Sequence, residues 1–268
     1  MPQSRKPVLL YILLAYGITW LGVLPLVADA LGWYAGDVPS TWHAVGALGP
    51  AGAALLTSRI VGGADGLRAW LASAGRWRIP APWWFITVGS PLALLSIALV
   101  AGRIATGGWG EGQALSEVAS HPIWWIDLAI ASVAYGFGEE LGWRGFLLPH
   151  LMKRRTALVA TLVTAVVWAA WHAPFFAYRF DFAGPVPLVG FFIAMFAGAC
   201  WLTFLFLSTG GSVPAVAVWH LMWNAANMIA APLSAVVVGV LNGAMMILGF
   251  GVLMLFGSGL KWRRVRCP

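Results

Sequence analysis

The chain has 268 residues, of which 60% are hydrophobic and only 9% charged. A soluble globular domain is about a quarter charged, so this composition excludes an ordinary water-facing surface. The net charge of +7 would suggest nucleic acid in a soluble protein, but the Lys and Arg residues stand in short clusters between apolar stretches, as in the cytoplasmic loops of membrane proteins; no nucleic-acid partner is expected.

A bilayer-spanning helix needs roughly 20 mostly apolar residues. The first candidate, 9–28, follows Arg5 and Lys6. It lacks a small-residue cleavage site and is read as a retained helix. The second is 40–59. The next stretch, 65–80, sets Leu67, Trp70, Leu71, Trp77 and Ile79 among arginines. Two readings of it stand side by side: an amphipathic segment along the inner leaflet and an ordinary basic loop. Further spans are expected at 82–102, 122–149, 157–178, 186–208, 212–231 and 234–257. The sixth and seventh divide at Ser208-Thr209-Gly210-Gly211-Ser212, a turn-forming run, and the last two divide at Pro232.

Loop charge orients the eight spans. Arg59, Arg68, Arg76 and Arg78 fill the second loop, Lys153, Arg154 and Arg155 the fourth, and Lys261, Arg263, Arg264 and Arg266 the tail. Asp29 and Asp37 lie in the first loop, Glu111 and Glu117 join Arg103 in the third, and Asp181 joins Arg179 in the fifth. The expectation is an all-α, polytopic transmembrane bundle of about eight spans in the cell membrane, with both termini cytoplasmic. It forms one domain over 1–268 with its chemical core at about 122–231. Cys200 and Cys267 are far apart and imply neither a disulfide framework nor a thiolate metal site.

Ionisable groups inside membrane helices are costly and usually face a cavity or a partner. Three segments carry them. In Phe137-Gly138-Glu139-Glu140-Leu141-Gly142-Trp143-Arg144, Glu140 and Arg144 share a helix face, whereas Glu139 is rotated about 100° away. The expected division is an ion pair of Glu140 with Arg144 and a separate Glu139, free to act as a general base. The bland reading is a polar network that only locks helices together. Trp168-Ala169-Ala170-Trp171-His172-Ala173-Pro174 sets one His among aromatics, where a packing role is the commoner one and only the other His and the two Glu in comparable surroundings raise its interest, and Pro174 removes a backbone bond just beyond it. In Trp219-His220-Leu221-Met222-Trp223-Asn224, His220 and Asn224 share a face and could donate to an oxyanion or serve as interhelical glue. At 1.5 Å per residue, His220 lies roughly 12 Å from the sixth loop, and Glu139 roughly 15–20 Å and His172 roughly 22 Å from the fourth. That trend favours a chamber running from mid-membrane towards the cytoplasm.

The ordered set Glu139-Glu140-x-x-x-Arg144, a Trp-rich helix ending in His172, and His220-x-x-x-Asn224 resembles the CAAX prenyl protease and bacteriocin-processing family, the type II CAAX proteases. The turn Gly46-Ala47-Leu48-Gly49-Pro50 is similar to another feature of that family. The resemblance covers about 40–231. It implies an intramembrane endopeptidase in which Glu139, aided by His172, activates water, His220 and Asn224 stabilise the oxyanion, and Glu140 and Arg144 hold the site. The substrate would be a membrane-tethered peptide or protein in the lipid bilayer, of prenylated CAAX type or bacteriocin-like. The cofactor reading stays open between none and Zn²⁺, which would take Glu139, His172 and His220 as ligands. A non-catalytic membrane scaffold or immunity protein of the same fold, and a small-solute or proton-coupled transporter, are the alternatives. Absence of a detectable inverted repeat counts against the transporter.

Overall fold

The computed structural model describes residues 6–34, 36–108, 116, 119–120, 122–180 and 184–257. Arg5, Glu111, Glu117, Asp181, Cys267 and the basic tail from Lys261 lie outside them. Every regular element among the described residues is helical. The helices are α1 Lys6–Gly22, α2 Leu24–Ala30, α3 His43–Ala47, α4 Gly49–Ala74 and α5 Ala81–Thr106. A continuous helical run then covers 122–152. It comprises α6 Pro122–Val133, a π-helical stretch Ala134–Glu139, α7 Glu140–Gly142, a second π-helical stretch Trp143–Leu147, and α8 Leu148–Met152. The chain ends in α9 Ala157–Trp171, α10 Pro185–Ser208, α11 Val213–Ala230 and α12 Ala235–Gly257.

The helix ends follow local chemistry. The Thr156 hydroxyl accepts from the Val159 N–H at 3.3 Å to cap α9, and Ser212 caps α11 by accepting from the Ala215 N–H at 3.2 Å. Gly210 and Gly211, with φ of 68° and 85°, supply the left-handed turn between α10 and α11. Both expected divisions, at 208–212 and at Pro232, are turns. Pro174 falls in a short 3₁₀ turn, Ala173–Ala177, that follows the end of α9, so His172 stands at the helix terminus. Gly63 breaks α4 with φ 61° and ψ −147°, separating its first half from the second half that contains Trp70.

Five helical stretches are long and apolar enough to cross a membrane: Ser40–Ala74, Ala81–Thr106, Ala157–Ala177, Pro185–Ser208 and Ala235–Leu255. A sixth is α1 with α2, bent by 49°. The chain is therefore a multi-pass membrane protein. The run 122–152, with buried Glu139, Glu140 and Arg144, and Val213–Ala230, with buried His220, fall outside that apolar set. They sit at the centre instead. The π-helical stretch and α11 pack against each other, α3 and α4 close one side, α5 closes another, and α10 and α12 pair at the periphery. Exposed side chains such as Phe85, Ile104, Val186 and Ile247 present the apolar surface that lipid covers.

The central helix reaches its neighbours because it lacks side chains where they touch. A Cβ on Gly136 would meet the Ala217 carbonyl oxygen of α11 at 2.6 Å. One on Gly138 would meet the Ala47 oxygen at 2.4 Å, and one on Gly142 would meet Tyr11 Oη at 2.4 Å and Pro50 Cβ at 2.5 Å. Backbone approach of this kind is how membrane helices gain packing energy without a hydrophobic driving force. Gly138→Ala and Gly142→Ala should each lose about 1–3 kcal/mol by overpacking, or fail to fold. Gly239→Ala on α12, with nothing within 4 Å of the new Cβ, should instead gain about 0.5–1 kcal/mol. Equilibrium unfolding in detergent measures all three, and equal effects would refute the close-packing account.

Candidate functional site

A cavity of about 320 Å³ lies among the central helices. Glu139, His172, His220 and Asn224, four side chains singled out from sequence, line it together. They come from three elements: the first π-helical stretch, the residue that ends α9, and α11. Glu140 and Arg144, the other two, are fully buried behind this wall and do not line it.

The adjacent glutamates have separate partners. Arg144 Nη1 donates to both Glu140 oxygens, at 2.8 and 3.0 Å, as the four-residue spacing predicts. His220 Nδ1 bonds Glu140 Oε1 at 2.8 Å, a contact that the sequence reading did not anticipate. It joins the central helix to α11. Glu139 is 4% exposed and takes two indole donors on one oxygen. Trp168 Nε1 donates to Oε2 at 2.5 Å and Trp143 Nε1 to the same atom at 3.3 Å. These bonds fix the carboxylate plane and leave Oε1 as the oxygen available to a molecule in the cavity.

The tautomer of His172 follows from its partner. Nδ1 lies 2.8 Å from the Trp168 carbonyl oxygen. A carbonyl only accepts, so Nδ1 carries the proton and Nε2 is the ring atom left for other chemistry. The same logic applies to His220: a carboxylate already paired with Arg144 accepts, so Nδ1 donates to it. A hydrogen bond from His220 to a ligand then needs Nε2 protonated as well, in the imidazolium form. Asn224 stands one helical turn further along the same face, its amide without another protein partner among the bonds described.

Trp168 is the hub that sequence reasoning missed as a site residue. It donates to Glu139, its carbonyl orients His172, its ring meets the His220 ring edge-on at 5.6 Å, and the Arg144 guanidinium lies 5.0 Å from its centroid. The readable signal was spacing: Trp168 stands four before His172, and Trp143 four after Glu139. His43 and Tyr178 were also missed. Both sit at the cavity end near Arg179, where His43 Nδ1 bonds Tyr178 Oη. Nothing in the local pattern of either residue pointed to the other across 135 positions.

The direction of the cavity differs from the helix-rise expectation. Arg76 and Lys153 do not line the cavity, and Glu140 and Arg144 are fully buried outside its lining. The cavity runs the opposite way, to His43 and the exposed Arg179. The depth arithmetic placed residues along separate helices but could not register that the ion pair fills the basic side. Zinc would need Glu139, His172 and His220 around one ion. Among the described residues no three His, Cys, Asp or Glu side chains are grouped to hold a metal, so no step is routed through one.

Residues 121–226 match the family model of Type II CAAX prenyl endopeptidase Rce1-like proteins. The matched segment contains all six residues discussed, and over it the chain is similar to the type II CAAX prenyl endopeptidases. No curated protein matches the chain.

Removing one partner of a buried ion pair strands the other charge at a cost of about 3–5 kcal/mol. Arg144→Met should lose stability in that range. Combining it with Glu140→Gln should cost less than the sum of the two single changes, by about 1–3 kcal/mol. A double-mutant cycle in detergent unfolding measures this, and strict additivity would show that the pair is not coupled.

Proposed function

We propose that the chain is an intramembrane endopeptidase that hydrolyses a peptide bond of a membrane-associated substrate with water activated by Glu139. One observation carries the reading: a base, two oriented imidazoles and an amide donor line a single cavity within the helices. Water held against Glu139 Oε1 loses a proton to the carboxylate as it adds to the peptide carbonyl. His172 Nε2 is an acceptor suited to hold that water in line. The Nε2–H of His220 in its imidazolium form and the Asn224 amide, one turn apart, stabilise the oxyanion of the tetrahedral intermediate. Glu139 then returns its proton to the leaving amine. Glu140 and Arg144 act on none of these atoms; they hold the His220 ring. Trp168 and Trp143 restrain Glu139. The similarity of residues 121–226 to the type II CAAX prenyl endopeptidases supports the reaction class.

Glu139→Gln should reduce cleavage of a membrane-tethered peptide by about 10²–10⁴-fold, and Asn224→Ala by about 10²–10³, with folding intact by thermal unfolding. Purified protein in detergent, offered prenylated and unprenylated CAAX-type peptides and a bacteriocin-like precursor, supplies the measurement. Full activity of Glu139→Gln would sink the base assignment and favour a scaffold of the same fold. Loss of activity on chelation, restored by zinc alone, would replace the metal-free step.

The eight-span arrangement with both termini cytoplasmic is part of the proposal, for a multi-pass protein of the cell membrane. Arg68, Arg76, Arg78 and Lys153–Arg155 gather at one end of the bundle, and the positive-inside rule puts that end in the cytoplasm. The chamber mouth at His43 and Arg179 then faces away from it. A bacteriocin-like peptide, tethered to the outer leaflet, fits this opening better than a prenylated cytoplasmic tail. Cysteines placed at Arg179 and at Arg154 test the orientation with an impermeant thiol reagent on intact cells. Labelling at 179 and protection at 154 is the expected result; the reverse would return the cytoplasmic CAAX substrate to first place.

A further inference from the structure

A second cavity, of about 270 Å³, lies at the opposite end of the bundle from the chamber. The second half of α4 covers it. The break at Gly63 turns this half off the span axis, and Trp70 pins it by donating from Nε1 to the Leu141 carbonyl at 3.0 Å. Arg76, His150 and Lys153 line the cavity with Thr57, Ser58 and Ser73, and no carboxylate does among the described residues. Arg76 Nη1 holds the Gly210 carbonyl, which leaves the rest of its fork for a ligand. The Thr57 hydroxyl is fully buried and has no partner, an arrangement that ordinarily calls for a bound acceptor or donor. The other walls are apolar: Phe146, Phe206 and the exposed Val61. The site therefore combines cations, an orphaned hydroxyl and an apolar flank at the level where the basic end meets the headgroups.

We propose that this cavity binds the phosphate-bearing headgroup of an anionic phospholipid. The phosphate oxygens accept from Arg76, Lys153 and the Thr57 hydroxyl, and the acyl chains leave along Val61. Cations near anionic headgroups gain about 1 kcal/mol each; a cavity that also supplies a buried donor adds selectivity for phosphate over surface charge alone.

Native mass spectrometry and thermal unfolding of the full chain in neutral detergent test the idea, with phosphatidylglycerol, phosphatidylcholine and inorganic phosphate as separate probes. Phosphatidylglycerol should bind in a 1:1 complex and raise the melting temperature. Phosphatidylcholine and millimolar phosphate should do neither. Lys153→Gln, at an exposed position, should weaken binding about 5- to 10-fold, and the exposed control Arg68→Gln should leave it unchanged. Thr57→Val should leave the lipid-free protein as stable or more so, since it removes an unsatisfied hydroxyl, yet bind phosphatidylglycerol more weakly. Equal binding of phosphatidylcholine, the full shift with phosphate alone, or wild-type affinity in both Lys153→Gln and Thr57→Val would each overturn the proposal. None of these residues touches the chamber, so a failure here leaves the endopeptidase reading standing.

Discussion

Glu140 accepts from Arg144 and from His220 in a place no water reaches. Charges buried at such depth persist only when paired and hydrogen-bonded, and these pairings dictate much around them. Arg144 lies on the same helix and satisfies the carboxylate locally. His220 lies on another, so the third bond sets how far α11 slides along the central helix and which way its imidazole turns. The cluster also divides the interior. The chamber lies on one side, the basic cavity on the other, and the ion pair with its surrounding rings stands between them.

Two neighbouring glutamates thereby acquire opposite circumstances. One is saturated by cationic and imidazole donors. The other is restrained only by indole N–H groups on a single oxygen and keeps its second oxygen toward the chamber. Tryptophan suits this duty because indole donates and cannot accept. It orients a carboxylate without competing for its proton, while its ring fills the space that would otherwise admit bulk water.

The membrane class and the principal helix divisions were legible because apolar length and turn residues are local signals. Glu140 with Arg144 was equally readable, since four-residue spacing on a helix fixes a contact. The gathering of Glu139, His172, His220 and Asn224 followed from treating costly polar residues as mutual partners. What escaped was non-local or geometric. His43 with Tyr178, and His220 with Glu140, join positions far apart in the chain. The direction of the chamber depended on which side the ion pair fills, and no count of residues from a loop end carries that information.

The π-helical stretches on either side of Glu140 add a different kind of dependence. A π turn holds one residue more than the α turn it replaces, so each stretch shifts the phase of everything that follows. Glu139 closes the first stretch and Arg144 lies in the second. Loss of a single residue from Ala134–Glu139 would restore an α-helix and rotate either the segment before it or the segment after it by about 100°. With Ala134 as the residue lost, the base, its indole donors and the ion pair would all survive, yet they would exchange faces. The site is written in the number of residues as well as in their identity, and an insertion or deletion of one is a graver change at this point than most substitutions.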